Sequence, residues 1–227
     1  MLKKILKQVR YFDFKYKYPE LNLGGLIVLI ICSFLIVTAT FSQISLGIFV
    51  LPKELITNPF GFFTSAHDAS EFFKTFYYIP QIAAVIFTGA LLGPRLGSLA
   101  VSLYVLAGLL GFPVFALGGG ITYVSKLGFG YILGYFLGVY LVGYSIKNKR
   151  SFRAILHGSI VSVLAIHLIG IVYMVSLLLI QREQLPVILN WIWLLSGMQI
   201  GYDVLMGIVA IGISRPIRSV LWLAMGN

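Results

Sequence analysis

The side chains able to do chemistry gather in a few places along this chain. Gln81 follows Pro80 at the head of one apolar run. Gly118, Gly119 and Gly120 stand in a row inside GLLGFPVFALGGGITYVSKLGFGYILGYFLG, residues 108–138, with Phe112, Phe115 and Tyr123 beside them. Tyr131 and Tyr135, four residues apart, share one helix face. Gln199 and Asp203 lie one turn apart in SGMQIGYDVLMG. These groups hydrogen-bond and stack; they are not a set that makes or breaks bonds. Adjacent glycines let backbone N–H groups approach a ligand closely. With aromatic rings as walls, they suit a lid and floor over a small organic molecule of amide-like polarity. The same stretch also reads as a glycine-rich turn between two helices. Gln81 reads either as a pocket residue or as an interhelical hydrogen bond.

Catalytic and metal motifs are absent from the sequence. It has no nucleophile elbow, P-loop, HExxH or CxxC, so no catalytic residue is assigned and ATP binding of the P-loop kind is excluded. His157 and His167 fall on different faces of one helix and read as solitary, satisfied histidines, so no metal site is assigned. Cys32 is the single cysteine, which rules out an intramolecular disulfide.

The elements that must position these residues follow from composition. Of 227 residues, 59% are hydrophobic and 11% charged, with a mean hydropathy of +0.96. A soluble domain carries far more polar surface. Several apolar runs of roughly 17–25 residues can cross a bilayer core of about 30 Å. The expectation is an all-α integral membrane protein with six transmembrane helices, near 23–49, 77–94, 96–111, 127–146, 153–180 and 188–213. The third is short, and spans only inside the bundle or where the bilayer thins. Residues 1–22 then form a basic N-terminal arm, 23–213 the membrane domain and 214–227 a C-terminal tail.

Both termini are expected in the cytoplasm. In that orientation only Lys53, Lys74, Lys126 and Arg182 face outward, and the remaining basic residues face inward, as the positive-inside rule requires. The net charge of +10 is then a topology signal spread over loops rather than a nucleic-acid surface. The glycine stretch falls on the outer face. So does the loop 50–76, with Asn58, His67, Asp68 and Glu71, long enough to cover the outer mouth. Gly130, Gly134 and Gly138 repeat at four-residue spacing and read as a helix-packing stripe. Asp203, deep in an apolar run, should face the bundle interior.

The segment ALLGPRLGSLAVSLYVLAGLLGFPVFALGGG, with YVSKLGFGYILGY close behind, resembles the signature of the BioY family. These proteins are the substrate-binding S components of energy-coupling factor (ECF) transporters for biotin. The matching elements are the turn GALLGPRLG, Tyr104 in a short span, and GLLGFPVFALGGG, over about residues 77–145. Where family members open span four with P-T-F-G-Y, this chain has Leu127, Gly128, Phe129, Gly130 and Tyr131. In span six the family Asp and Lys fall either on Asp203 and Met206 or on Gln199 and Tyr202. Gly119 stands near a position where some members carry arginine.

The resemblance implies a pocket near the outer face built from Gln81, Tyr104, Phe115, Gly118, Gly119, Gly120, Tyr123, Tyr131, Gln199 and Asp203. It implies biotin as the transported ligand, no cofactor held by this chain, and no enzymatic activity. The implied partners are a transmembrane T component, two ATPase subunits and the lipid bilayer of the plasma membrane. Span one would dock the T component through small residues such as Gly24, Gly25, Cys32, Ser33 and Ala39. Two other readings keep part of this picture: an S component for thiamin or riboflavin, and a structural membrane protein that transports nothing.

Overall fold

The structure, a computed structural model, describes residues 21–49, 58–64, 72–147 and 151–224. The chain runs α1 (Leu23–Phe41), β1 (Ile44–Phe49), α2 (Pro59–Thr64), β2 (Phe73–Tyr78), α3 (Gln81–Leu109), a 3-10 turn (Ile121–Ser125), α4 (Phe129–Ile146), α5 (Phe152–Ile180), α6 (Leu185–Ile192), a π-helical turn (Trp193–Gly197) and α7 (Ile200–Ala224). Among the described residues five stretches are long and apolar enough to cross a membrane: α1, α3, α4, α5 and the run from α6 into α7.

The sixth pass comes from α3, which is two helices. Gly93 has φ 80° and ψ −179°, a conformation essentially reserved for glycine, and Pro94 follows it. The chain reverses there. The proof is that Gln81 and Tyr104 are hydrogen-bonded at 2.9 Å, whereas 23 residues of straight helix would part them by roughly 35 Å. A Cβ on Gly97 would lie 3.3 Å from the Cα of Gly89, so the two arms, 81–92 and 94–109, touch at their glycines. The second arm, near 94–109, is the short third pass foreseen in the sequence. It is housed inside the bundle: Ala100, Val101, Tyr104 and Val105 are buried.

Helix ends follow capping rules. Asn22 accepts from the Gly25 N–H at the start of α1, and Ser151 from the Ala154 N–H at the start of α5. Between α4 and α5 the glycine stripe packs as expected. A Cβ on Gly134 would meet the Ile166 backbone at 2.8 Å, and one on Gly138 would meet the Ile166 side chain at 2.5 Å. In lipid such close approach is what holds helices together, since burial from apolar solvent gains little. Ile30, Phe34, Leu164 and Leu168 point outward, as a lipid-facing surface requires.

The structure differs from the sequence-based boundaries in three ways. The first span stops at Phe41. Residues 44–49 turn away as a strand paired antiparallel with 73–78, Ile44 opposite Tyr78 and Phe49 opposite Phe73. The alternation in ISLGIF and FKTFYY suits strands, and the apolar content hid it inside the span. The second span therefore starts at Gln81 rather than near 77. The last helix continues to Ala224, through Pro216, so most of the expected tail is helix. The basic arm over 1–20, and His67, Asp68 and Glu71 of the outer loop, lie outside the described residues. Asn58 is described and caps α2, its Oδ1 accepting from the Gly61 N–H at 3.0 Å.

Candidate binding site

A cavity of about 140 Å³ opens at the end of the bundle that carries the loop 110–128. Its wall is assembled from both arms of α3, from that loop, from α4, and from the π turn leading into α7. Gln81, Tyr104, Tyr123, Tyr131, Tyr135 and Gln199 supply polar groups. Ile79, Ile82, Ala116, Ile132 and Leu195 supply apolar surface. Among the described residues no charged side chain lines it.

The loop is built around Phe115. Its N–H donates to the Gly118 carbonyl and the Gly118 N–H donates back, each at 3.0 Å, closing a tight turn. The Phe115 ring is fully buried, edge-on to Tyr104 at 5.3 Å and 4.5 Å from Tyr123. It sits where a side chain on Gly108 would be, since a Cβ there would lie 2.0 Å from the ring. Phe115 thus supports two cavity tyrosines from behind and presents Ala116 to the cavity.

Gly118, Gly119 and Gly120 do not line the cavity. Gly118 and Gly120 have φ of 107° and 99°, and the Gly120 N–H donates to the Gly108 carbonyl at 2.7 Å. A Cβ on Gly119 would lie 2.1 Å from the Phe112 carbonyl oxygen. The N–H groups of Gly118 and Gly120 therefore close the loop rather than face a ligand. The run answers the need for a compact cap over the cavity. Phe112 is exposed.

On the helices, Gln81 donates from Nε2 to Tyr104 Oη at 2.9 Å, which leaves the Gln81 carbonyl oxygen available. Tyr123, on the 3-10 turn, is buried, and burial raises its hydroxyl above the ordinary value despite a backbone bond from Leu117. Tyr135 is buried and lines the cavity. Its hydroxyl is a donor and an acceptor that a molecule in the cavity could use. The sequence signal was its four-residue offset from Tyr131, which placed it on the right face without singling it out. Ile79, Ile82, Ala116, Ile132 and Leu195 carried no signal at all.

Asp203 lies behind the wall, not on it, and is fully buried. Tyr78 donates to its Oδ1 at 2.9 Å and His167 Nε2 lies 3.0 Å from its Oδ2. His167 Nδ1 lies 2.9 Å from Ser196 Oγ, which lies 2.6 Å from Tyr131 Oη. A line of hydrogen bonds so runs from β2 through α7, α5 and the π turn to α4, ending at a cavity tyrosine. The π turn matters here: with an extra residue in the turn it carries Ser196 buried, and such turns recur at functional sites. Among the described residues no group of three or more His, Cys, Asp or Glu could hold a metal.

The comparisons with known proteins point the same way. Residues 73–222 match the BioY family. A probable biotin transporter BioY from Lysinibacillus sphaericus is 45% identical over 71 residues, covering 31% of this chain and 36% of that protein. The biotin transporter BioY of Thermotoga maritima is 36% identical over 93 residues, covering 40% and 54%. The chain thus spans about a third to a half of the length of these curated relatives. The crystal structure of the S-component for biotin from an ECF-type ABC transporter superposes with a TM-score of 0.60 over 86% of this chain and 90% of that one. At 17% identity that likeness speaks for the fold. It assigns the six-pass helical bundle to the S-component membrane fold. The family match takes in both α3 arms, the capping loop and the helices carrying Tyr131, His167 and Asp203, so this chain belongs to the BioY family.

Proposed function

We propose that this chain captures biotin in the cavity beneath the loop 110–128 and serves as the substrate-binding component of a biotin uptake system. The observation that carries the reading is a cavity whose described lining offers phenols and amides and no charged group. A ureido ring is neutral, with two N–H donors and one carbonyl acceptor, and amides and hydroxyls satisfy both. The Gln81 carbonyl oxygen, the Tyr135 hydroxyl and the Gln199 amide are the groups with hydrogen-bonding capacity to offer. Aromatic and isoleucine faces suit the rest of the ring system. The enclosed volume suits the compact rings, with the acid tail leading outward. Lys126 is exposed two residues before Gly128 of the lining and is the basic group at hand for the carboxylate.

The role is capture rather than chemistry. Energy for import would come from partners, a T component and two ATPase subunits, in the plasma membrane. The Cys32, Ser33 and Ala39 side of α1 is buried against the rest of the bundle, so a partner would meet the opposite face of that helix.

The test is equilibrium binding of labelled biotin to the purified, detergent-solubilised protein, with unlabelled biotin, thiamin and riboflavin as competitors. Saturable nanomolar binding displaced by biotin alone is expected. Displacement by thiamin or riboflavin, or no binding by a demonstrably folded protein, overturns the assignment.

A further inference from the structure

The hydrogen-bond line behind the cavity has a direction, and charge decides it. Asp203 and His167 are buried together, with side chains 1% and 2% exposed. Among the described residues, the titratable groups facing the pair are Tyr131 from α4, edge-on to His167, Tyr78 from β2, which donates to Asp203, and Tyr135 from α4, which interacts electrostatically with Asp203. Among the described residues the charged or hydrogen-bonding groups acting on Asp203 are His167 and Tyr78, and no lysine or arginine is among them. A lone negative charge in such a place costs several kcal/mol, so the cluster is electrically neutral as a whole. With the Tyr78 hydroxyl donating to Oδ1, neutrality places one proton between Asp203 Oδ2 and His167 Nε2. Whichever of the two atoms holds it, His167 carries a hydrogen on Nδ1.

The rest follows from counting donors. His167 Nδ1–H donates to Ser196 Oγ. The Ser196 hydroxyl hydrogen is then directed to Tyr131 Oη. Tyr131, already accepting from Ser196, has its own O–H left over, and its hydroxyl belongs to a cavity-lining side chain. With the reverse arrangement, a bare carboxylate and hydrogen on Nε2 only, the bonds from His167 to Ser196 and from Ser196 to Tyr131 would both flip, and Tyr131 would face the cavity as an acceptor.

We propose that Asp203 and His167 are positioning residues that act through Ser196 to present the Tyr131 hydroxyl as a hydrogen-bond donor to a carbonyl oxygen of the bound molecule. The direction of the line is a property of the ligand-free protein. Its use on a carbonyl rests on the biotin reading above, where the ureido oxygen is that acceptor. Asp203 itself does not touch the ligand.

Two measurements test this. The first is the ring protonation of His167 in protein labelled with nitrogen-15 histidine, read by nitrogen–proton correlation and assigned with His167→Gln. A proton on Nδ1 is expected; a neutral ring carrying its proton on Nε2 alone overturns the inference, with or without a ligand. The second is the affinity ratio of biotin over its thiocarbonyl analogue, whose sulfur is a poor acceptor. A ratio of about fivefold is expected for one hydrogen bond, reduced toward one in Tyr131→Phe and in Asp203→Leu. Asp203→Asn retains it, because the amide N–H still donates to His167 Nε2 and its oxygen still accepts from Tyr78. Loss of the ratio in Asp203→Asn, or its survival in Tyr131→Phe, sinks the proposal. Absence of biotin binding in the unmodified protein would instead sink the biotin assignment, and the ring protonation would still decide the direction of the line.

Discussion

Adding one methyl group on α5 should damage the binding site from outside it. Gly170 does not line the cavity, yet a Cβ there would lie 2.5 Å from Cδ1 of the Tyr131 ring and 2.6 Å from Cε1 and Cγ. Ordinary contact begins near 3.4 Å, so the ring must retreat by about 0.9 Å, the difference between the two. Tyr131 Oη sits 2.6 Å from Ser196 Oγ, and a retreat of that size stretches the bond to the limit of a hydrogen bond. Overpacking costs about 1–3 kcal/mol, and a displaced ring narrows the cavity. Gly170→Ala should therefore weaken biotin binding about 10- to 100-fold, at roughly 1.4 kcal/mol per tenfold. The assay is equilibrium binding in detergent, with thermal unfolding measured alongside. Gly212→Ala, on α7 with nothing within 4 Å of its Cβ, is the control and should bind normally. Because the damage passes through Tyr131, the losses in Gly170→Ala and Tyr131→Phe should overlap rather than add. Binding by Gly170→Ala within twofold of the unmodified protein, or full additivity with Tyr131→Phe, refutes the reasoning.

Gly93→Ala places a side chain at φ 80° and ψ −179° and should cost about 1–3 kcal/mol. It is expected to lower the unfolding temperature in detergent, and an unchanged value would show that the reversal tolerates a Cβ. Gly119→Ala and Gly128→Ala should part company. The first drives a methyl onto the Phe112 carbonyl and lowers both stability and binding. The second has open space around it, in the cavity lining, and should lower binding with the unfolding temperature unchanged.

The sequence alone settled the solvent. Apolar run lengths and the scarcity of charge are additive along the chain, so they required a helical membrane protein before any contact was known. The GPRLG turn, the PVF–GGG cap and the tyrosines after it were legible because they are local: each occupies consecutive residues whose φ angles and side-chain volumes matter where they stand. Periodicity was also enough to put Tyr131 and Tyr135 on one face and to read Gly130, Gly134 and Gly138 as packing surface. It was not enough for β1, where six apolar-rich residues fit the end of a span as well as a strand.

Only the tertiary structure decided which residues meet. Gln81 reaches Tyr104 because Gly93 reverses the chain between them, and Phe115 fills the gap left by Gly108. The glycine run moved from ligand contact to loop closure once the Phe112 carbonyl was seen to occupy the space beside Gly119. Asp203 moved from the cavity to the buried end of a line through His167 and Ser196, two residues whose spacing from it, 36 and 7, matches no motif. Such contacts depend on how helices distant in sequence close on one another, and on where a π turn buries a single serine. That geometry is set by packing among all the helices at once, and no window of the sequence contains it.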